Sequence, residues 1–280
     1  SVMLGNGDGS FQTPVTYGVG FSPVAAAVGD LNGDGNADVV VANACGQGSS
    51  CTSGTATVLL GNGKGGFSPA ADVALGKTPS SIALGDLTGK GSLDLVASYS
   101  GDNQIAVLLS NGDGTFKSAA VYPVGSAPSS VTIGNFTGQS HLDVAVANQT
   151  SSTVSVLAGN GDGTLQPAVD YPVGSGPSSI ISANLATASA PSVVTASAAP
   201  TVSGTTSHIT VLQNAVPMVG ATASATAVTL TSGTNPSPFG SSLTFTAAVS
   251  PAAATGTVDF YDAAGGATCA PSRPDTRSSR

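Results

Sequence analysis

The feature that most constrains this chain of 280 residues is a repeated glycine-rich turn at nearly constant spacing. The turns begin at Gly5, Gly61, Ser110 and Gly159, so successive copies lie 56, 49 and 49 residues apart. An Asp/Asn-rich loop recurs with the same three intervals, beginning at Asp30, Asp86, Asn135 and Asn184. Two markers in step indicate a repeated structural unit, and a repeat architecture is therefore predicted.

Each unit contains four short apolar runs that are typical of β-strands. In the third unit these runs are Ser130–Gly134, Asp143–Asn148, Thr153–Leu157 and Leu165–Val173. Asn-Gly and Asp-Gly between the last two runs favour a tight hairpin. Four antiparallel strands in about 49 residues are typical of a β-propeller blade, whereas β-sandwiches do not repeat their sequence. The sequence predicts an all-β protein with a partial β-propeller of about four blades.

The composition supports an all-β fold and argues against two classes of function. The acidic residues are 15 Asp and no Glu, and there are 37 Gly and 17 Pro, so strong helix formers are scarce. The net charge of −8, with only seven Lys and Arg, argues against nucleic-acid binding. No apolar run approaches the length of about 18 residues that a membrane-spanning helix needs. We therefore expect no nucleic-acid partner and no membrane span.

The loop of residues 30–38 has the spacing of a calcium site. Oxygen ligands stand at positions 1, 3, 5, 7 and 9, where the seventh would use its backbone carbonyl: Asp30, Asn32, Asp34, Asn36 and Asp38. The twelfth position, which carries a bidentate Glu in an EF-hand, is Val41. Asp, Asn and Gly also form ordinary turns, but three carboxylates in nine residues repel one another. A bound Ca²⁺ at this loop is the favoured interpretation.

Later copies of the loop lose ligands. The second copy keeps possible ligands at Asp86, Thr88, Ser92 and Asp94. It carries Lys90 at the fifth position, where an ammonium could neutralise the carboxylates without metal. The third copy has Gln139 at that position and a single carboxylate, Asp143, so a metal-free turn is expected. The fourth, beginning at Asn184, no longer has the pattern.

Two cysteines lie where the first interval is seven residues longer than the others. Cys45 and Cys51 stand six residues apart in the extended hairpin. They could form a disulfide, which would imply an oxidising compartment, or they could be two unpaired thiols. A metal site is disfavoured because no His or further Cys accompanies them.

The segment Gly29–Asn43, with its GDLNGDGNADVVVAN sequence, and the recurring V-x-V-L-x-G-N-G-D-G turn together resemble the FG-GAP/VCBS repeat family. That family includes the integrin α-subunit propeller and many secreted bacterial proteins. The resemblance covers residues 1–214. It implies a calcium-braced propeller, usually of seven blades, that takes part in adhesion or ligand binding. It also implies calcium-ligand roles for the five residues of the first loop, whereas Lys90 and Gln139 depart from the family pattern.

A different pattern follows the repeats. Residues 215–224 are predicted to be a linker, and residues 225–268 resemble the start of a bacterial Ig-like repeat. Alternating runs at Ser242–Val249 and Thr257–Tyr261 would supply some of its strands. About three strands of the roughly seven in an Ig-like sandwich are present, so an incomplete Ig-like fragment is expected. Residues 269–280 hold every Arg of the chain and are interpreted as a disordered or artefactual tail.

Catalysis is poorly supported by the sequence. The two histidines, His141 and His208, are expected to be surface residues, and no G-x-S-x-G motif is present. The favoured hypothesis is a secreted or cell-surface module that is not an enzyme, is stabilised by Ca²⁺ and binds a protein or carbohydrate. The alternative hypothesis is an accessory propeller of a secreted polysaccharide-degrading enzyme whose catalytic domain lies outside this chain.

Overall fold

A computed structural model gives the fold. It describes residues 1–45, 53–70, 72–183, 191–197, 208–212, 227–232 and 245–250. Every regular element in these ranges is a β-strand, and all pairings between them are antiparallel. None of the described segments forms a helix of the length and apolarity that crossing a membrane requires.

The first two sheets each add their strands in chain order. The first comprises β1 (Phe21–Gly29), β2 (Asp38–Cys45), β3 (Thr55–Gly61) and an outer strand in two pieces, β4 (Phe67–Pro69) and β5 (Val73–Ala74). The second comprises β6 (Pro79–Gly85), β7 (Asp94–Tyr99), β8 (Gln104–Leu108) and β9 (Ala120–Pro123).

The other two sheets repeat this order. The third comprises β10 (Pro128–Gly134), β11 (Asp143–Asn148), β12 (Thr153–Leu157) and β13 (Val169–Pro172). The fourth comprises β14 (Pro177–Ala183), β15 (Ser192–Ser197), β16 (His208–Leu212), β17 (Ala227–Ser232) and β18 (Phe245–Ser250). The last two strands form a hairpin that joins β16 through the pair Thr210 and Thr229.

The four sheets pack on one another as consecutive blades. Apolar side chains from neighbouring sheets form shared clusters; one of them contains Val40 of β2 together with Leu95 of β7. The first strands of the blades also bond directly: the Ser80 hydroxyl donates to the Pro128 carbonyl at 2.6 Å. One blade later the Ser129 hydroxyl donates to Pro177 at 2.7 Å. The prediction of an all-β partial β-propeller is thus confirmed.

The strand boundaries of the third blade follow the sequence closely, with two differences. β11 and β12 coincide with the predicted runs, and β10 begins two residues earlier, at Pro128. The fourth strand, however, is only Val169–Pro172, because Leu165 pairs with Gly159 in an isolated bridge. Pro167 lies between Leu165 and the start of the strand at Val169, and it has no N–H to continue the ladder.

Residues 1–20 form the outer half of a preceding blade. Val2 pairs with Val15 and Gly5 with Phe11, and the second of these bridges has the same place in the repeat as the bridge between Gly159 and Leu165 in the third blade. Of the predicted C-terminal elements, β18 corresponds to the run at Ser242–Val249. The linker 215–224, the run Thr257–Tyr261 and the tail 269–280 lie outside the described residues, and the Ig-like character stays a prediction.

Tyr99 offers a test of core burial by pH. It is 3 % exposed, and burial raises its pKa above the ordinary value of 10.0. Because the pKa of Tyr99 is higher in the folded state than in the unfolded state, the contribution of Tyr99 to stability is complete below about pH 10. This contribution is lost as the pH rises through the folded value. We expect the urea unfolding midpoint to fall between pH 8 and pH 11, roughly spanning this titration, and the fall to be smaller in Tyr99→Phe. An identical fall in both proteins would show that Tyr99 does not contribute.

Candidate functional site

The first Asp/Asn-rich loop, residues 30–37, connects β1 to β2 at one end of the first blade. Gly33 and Gly35 adopt φ angles of 75° and 81°. Side chains with a Cβ rarely adopt this left-handed conformation, so the fourth and sixth positions require glycine. The tight turn expected from the sequence is therefore present.

Backbone N–H groups orient the carboxylates of this loop. Oδ1 of Asp30 accepts hydrogen bonds from the N–H groups of Gly33 at 2.8 Å and Asp34 at 3.2 Å. Its Oδ2 accepts from Gly35 at 2.8 Å. Backbone and side-chain groups of Asn36 bond to Asp34 and lower its pKa from the ordinary value. The loop thus holds ionised oxygens in place on the protein surface.

Asp38, at the ninth position, has a different environment from the rest of the loop. Its side chain is 0 % exposed. Oδ2 accepts from the N–H of Leu31 at 2.8 Å, and Oδ1 accepts from the N–H of Gly61 at 2.7 Å. Because Gly61 ends β3, the carboxylate ties the loop to the neighbouring strand. The sequence predicts a metal ligand here, and that role stays a prediction; the structure shows that the Asp38 carboxylate also braces the loop.

The same brace recurs in the next two blades. Oδ2 of Asp94 accepts from the Leu87 N–H at 3.0 Å and Oδ1 from the Ser110 N–H at 2.9 Å. In the third blade, Asp143 accepts from the N–H groups of Thr137 at 2.7 Å and Gly159 at 2.9 Å. This explains why the third loop retains its ninth-position Asp after losing the other carboxylates.

The first loop offers a mixed set of oxygen donors. Within the described ranges, no group of three or more His, Cys, Asp or Glu side chains is placed to hold a metal ion. This agrees with the inward orientation of Asp38. Two carboxylates and two side-chain amides remain on the loop: Asp30, Asp34, Asn32 and Asn36. Carboxylate and amide oxygens suit Ca²⁺, which tolerates irregular geometry and completes its shell with water.

The second loop has the same backbone shape as the first. Oδ1 of Asp86 accepts from the Lys90 N–H at 3.0 Å and Oδ2 from the Gly91 N–H at 2.6 Å. Although burial opposes the shift, these bonds lower the pKa of Asp86. Burial raises the pKa of Asp94, and the nearby Asp86 carboxylate adds to the rise. The hydroxyl of Thr88, one of the predicted ligands, donates a hydrogen bond to Asp86 at 3.1 Å.

The third loop is organised by polar contacts of its own. The Thr137 hydroxyl donates to Asp143 at 2.9 Å, and the Asn135 amide donates to the Gln139 carbonyl. His141 is half-buried and lies against Gly161 of the adjacent turn. The loop beginning at Asn184 lies outside the described residues.

Only one of the two predicted disulfide cysteines can be placed. Cys45 is buried at the end of β2 and is disulfide-bonded. Cys51 lies outside the described residues, so its pairing with Cys45 stays a prediction.

A chain of polar side chains that runs from a buried Asn to an exposed Asp in the first and third blades was missed by sequence reasoning. Asn43 donates to the Thr57 hydroxyl at 3.1 Å, which donates to Asp72 at 2.8 Å. In the third blade the corresponding residues are Asn148, Ser155 and Asp170, with distances of 2.8 and 2.5 Å. The signal was available, because Asn follows the Val-rich run of the second strand in both of these units, as VVVAN and VAVAN. These contacts link the second, third and outer strands of a blade.

Comparison with known proteins gives a family match over the start of the chain. Residues 1–41, which include the first Asp/Asn-rich loop, match the family described as FG-GAP-like repeat. No curated protein sequence matches the chain.

Two solved structures resemble the fold. One is a functionally unknown protein from Desulfotomaculum acetoxidans, with 13 % identity, a TM-score of 0.49, and coverage of 73 % of this chain and 54 % of that protein. The other is the V. cholerae biofilm matrix protein Bap1, with 18 % identity, a TM-score of 0.34, and coverage of 70 % and 38 % respectively. This chain therefore spans about half of the first protein and less of the second.

Proposed function

We propose that this chain is a calcium-stabilised, non-catalytic repeat module, secreted or at the cell surface, that binds a protein or carbohydrate ligand. The observation that carries the proposal is the first loop, where backbone N–H groups orient the carboxylates of Asp30 and Asp34 and hydrogen bonds from Asn36 lower the pKa of Asp34. The FG-GAP-like match over residues 1–41 includes this loop and supports an adhesion-type repeat.

Calcium would be held by the exposed oxygens of the first loop. Asp30 and Asp34 supply negative charge, while the side-chain amide oxygen of Asn32 and the backbone carbonyl of Asn36 supply neutral ligands. Asp38 closes the base of the loop and keeps the other residues in register through Leu31 and Gly61. With water completing the shell, we expect a dissociation constant of about 10⁻⁴–10⁻³ M, as in extracellular modules.

The second loop would bind calcium more weakly than the first, if at all. Its fifth position supplies the Lys90 side chain in place of an oxygen ligand. The hydroxyls of Thr88 and Ser92 are weaker donors to a hard cation than the Asn side chains of the first loop. We therefore assign the calcium-dependent stability to the first loop.

A binding role accounts for the chain better than catalysis does. Within the described residues, the carboxylates outside the three loops are used in turns or strand contacts; for example, Asp113 bonds to Thr115 and Asp162 bonds to Thr164. Glycoside hydrolysis needs a pair of carboxyl groups facing across a cleft. The engaged carboxylates favour recognition without bond cleavage.

The proposed function is tested on glycan and extracellular-protein arrays probed with the full chain in calcium and in EDTA. We expect retention of at least one ligand in calcium, lower retention in EDTA, and intact arrayed glycans. The variant Asp34→Ala should behave in calcium as the wild type does in EDTA. Cleavage of an arrayed glycan, or retention that is equal in calcium and EDTA, would contradict the proposal.

A further inference from the structure

One position of the repeat carries a tyrosine at three of four successive blade junctions. The exception is the second junction, between the first and second blades. The residues at this position, spaced by 56, 49 and 49, are Tyr17, Val73, Tyr122 and Tyr171. Val73, Tyr122 and Tyr171 lie in the outer strand of their blade, just before the first strand of the next blade. The junction between the first and second blades is therefore the one where a phenol ring has been replaced by an isopropyl group.

At the neighbouring junctions the tyrosine reaches across to the next blade. Tyr17 meets the edge of the Phe67 ring at a centroid distance of 5.3 Å and an interplanar angle of 80°. Its hydroxyl donates to the Gly65 carbonyl at 3.2 Å. At the third junction, the Tyr122 hydroxyl accepts from the Leu165 N–H at 3.2 Å. Both rings thus bridge two blades through an apolar contact or a backbone hydrogen bond.

At the second junction a cavity lies beside Val73. Phe116 occupies the position that Phe67 holds one blade earlier, and both Val73 and Phe116 pack at the edge of the same apolar cluster. The cavity has a volume of about 380 Å³ and is lined by these two side chains, the buried Leu108, and polar groups of Asp72, Thr115 and Lys117. A shorter side chain at a position that is elsewhere tyrosine accounts for this space.

We propose that this cavity is a binding site for a phenolic ring. The ring would pack against Phe116 as Tyr17 packs against Phe67, with its hydroxyl among the polar groups of the lining. The cavity is open to solvent and has a mixed polar and apolar lining, which suits an amphipathic ring. The site uses none of the residues of the calcium loop, so the phenolic site and the calcium-dependent function are tested independently.

Two sources could supply the ring, a free small phenol or a tyrosine side chain of another polypeptide. Both share the phenolic chemistry, and the two probes p-cresol and N-acetyl-L-tyrosinamide distinguish them. The p-cresol molecule needs only the ring site, whereas the tyrosinamide also needs room for a backbone at the cavity mouth. Binding of both probes would indicate a tyrosyl ligand, and binding of p-cresol alone would indicate a free phenol.

The test is a titration of the full chain with each probe, followed by the methyl NMR resonances of Leu108. We expect saturable shifts with p-cresol and a dissociation constant of about 1 mM. Val73→Tyr restores the residue type of the other junctions, so it should weaken p-cresol binding at least about tenfold and raise the melting temperature by roughly 2–4 °C. Val169→Tyr, at an exposed valine of β13, is the matched control and should leave binding unchanged.

A second variant keeps the test independent of how Val73→Tyr folds. Phe116→Leu introduces the residue that the third blade holds at this position, Leu165, and should weaken p-cresol binding. The proposal is overturned if p-cresol shifts no Leu108 resonance up to about 10 mM. It is equally overturned if Val73→Tyr, correctly folded, binds p-cresol as tightly as the wild type.

Discussion

Replacing Asp143 with alanine is expected to lower the free energy of unfolding by about 3 kcal/mol, with or without calcium. The carboxylate is 0 % exposed and accepts hydrogen bonds from the N–H groups of Thr137 and Gly159. Alanine would remove the acceptor from two partly buried N–H groups, and a buried group left without a partner costs about 1–3 kcal/mol. Urea unfolding of the full chain measures the change.

The matched control for Asp143→Ala is Asp162→Ala. Asp162 also accepts hydrogen bonds, from the N–H and hydroxyl of Thr164, but it does so at the surface. Water replaces these bonds when the side chain is removed, so the unfolding midpoint should stay close to that of the wild type. Equal effects of the two substitutions would show that burial of the ninth-position carboxylate does not matter, and the brace would be refuted.

The second large effect is expected from calcium. About 10 mM Ca²⁺ should raise the melting temperature of the wild-type chain by roughly 4–8 °C, given a dissociation constant of about 10⁻⁴–10⁻³ M. Asp34→Ala should abolish this rise, because it removes one of the two exposed carboxylates of the first loop. Thermal unfolding in calcium and in EDTA, followed by circular dichroism, measures both.

Two further variants show whether the effect of calcium is specific to the first loop. Asp113→Ala alters an exposed turn carboxylate outside the loops, and it should keep the full calcium-induced rise. Lys90→Asn places an amide oxygen at the fifth position of the second loop. It should therefore enlarge the calcium-induced rise in melting temperature. A rise that survives in Asp34→Ala would place the calcium elsewhere in the chain.

Much of the fold follows from local sequence signals. The repeat interval predicts four equivalent sheets, and strands β11 and β12 begin and end where the apolar runs do. The outer strand of the third blade was harder to predict, because Leu165 pairs in an isolated bridge and Pro167 interrupts the ladder. An edge strand has one partner, so its extent depends on the pairing rather than on its own residues.

The candidate site was predictable in composition and less so in geometry. The spacing of Asp30, Asn32 and Asp34 indicates a cation-binding turn, and Gly33 and Gly35 adopt the conformation that such a turn requires. The spacing could not show that Asp38 points inward, because its partner Gly61 lies 23 residues further along the chain. The cavity beside Val73 was likewise hidden, since it arises from contacts between two blades.

The most direct test of the account is a crystal structure of the full chain grown with about 10 mM Ca²⁺, roughly tenfold above the weakest expected dissociation constant, and recorded with anomalous scattering. The account predicts an anomalous peak within ligand distance of the side-chain oxygens of Asp30 and Asp34, about 2.3–2.6 Å. It also predicts that Asp38 keeps its hydrogen bonds to Leu31 and Gly61. A first loop that shows no peak under these conditions, or a peak confined to another part of the chain, would contradict it.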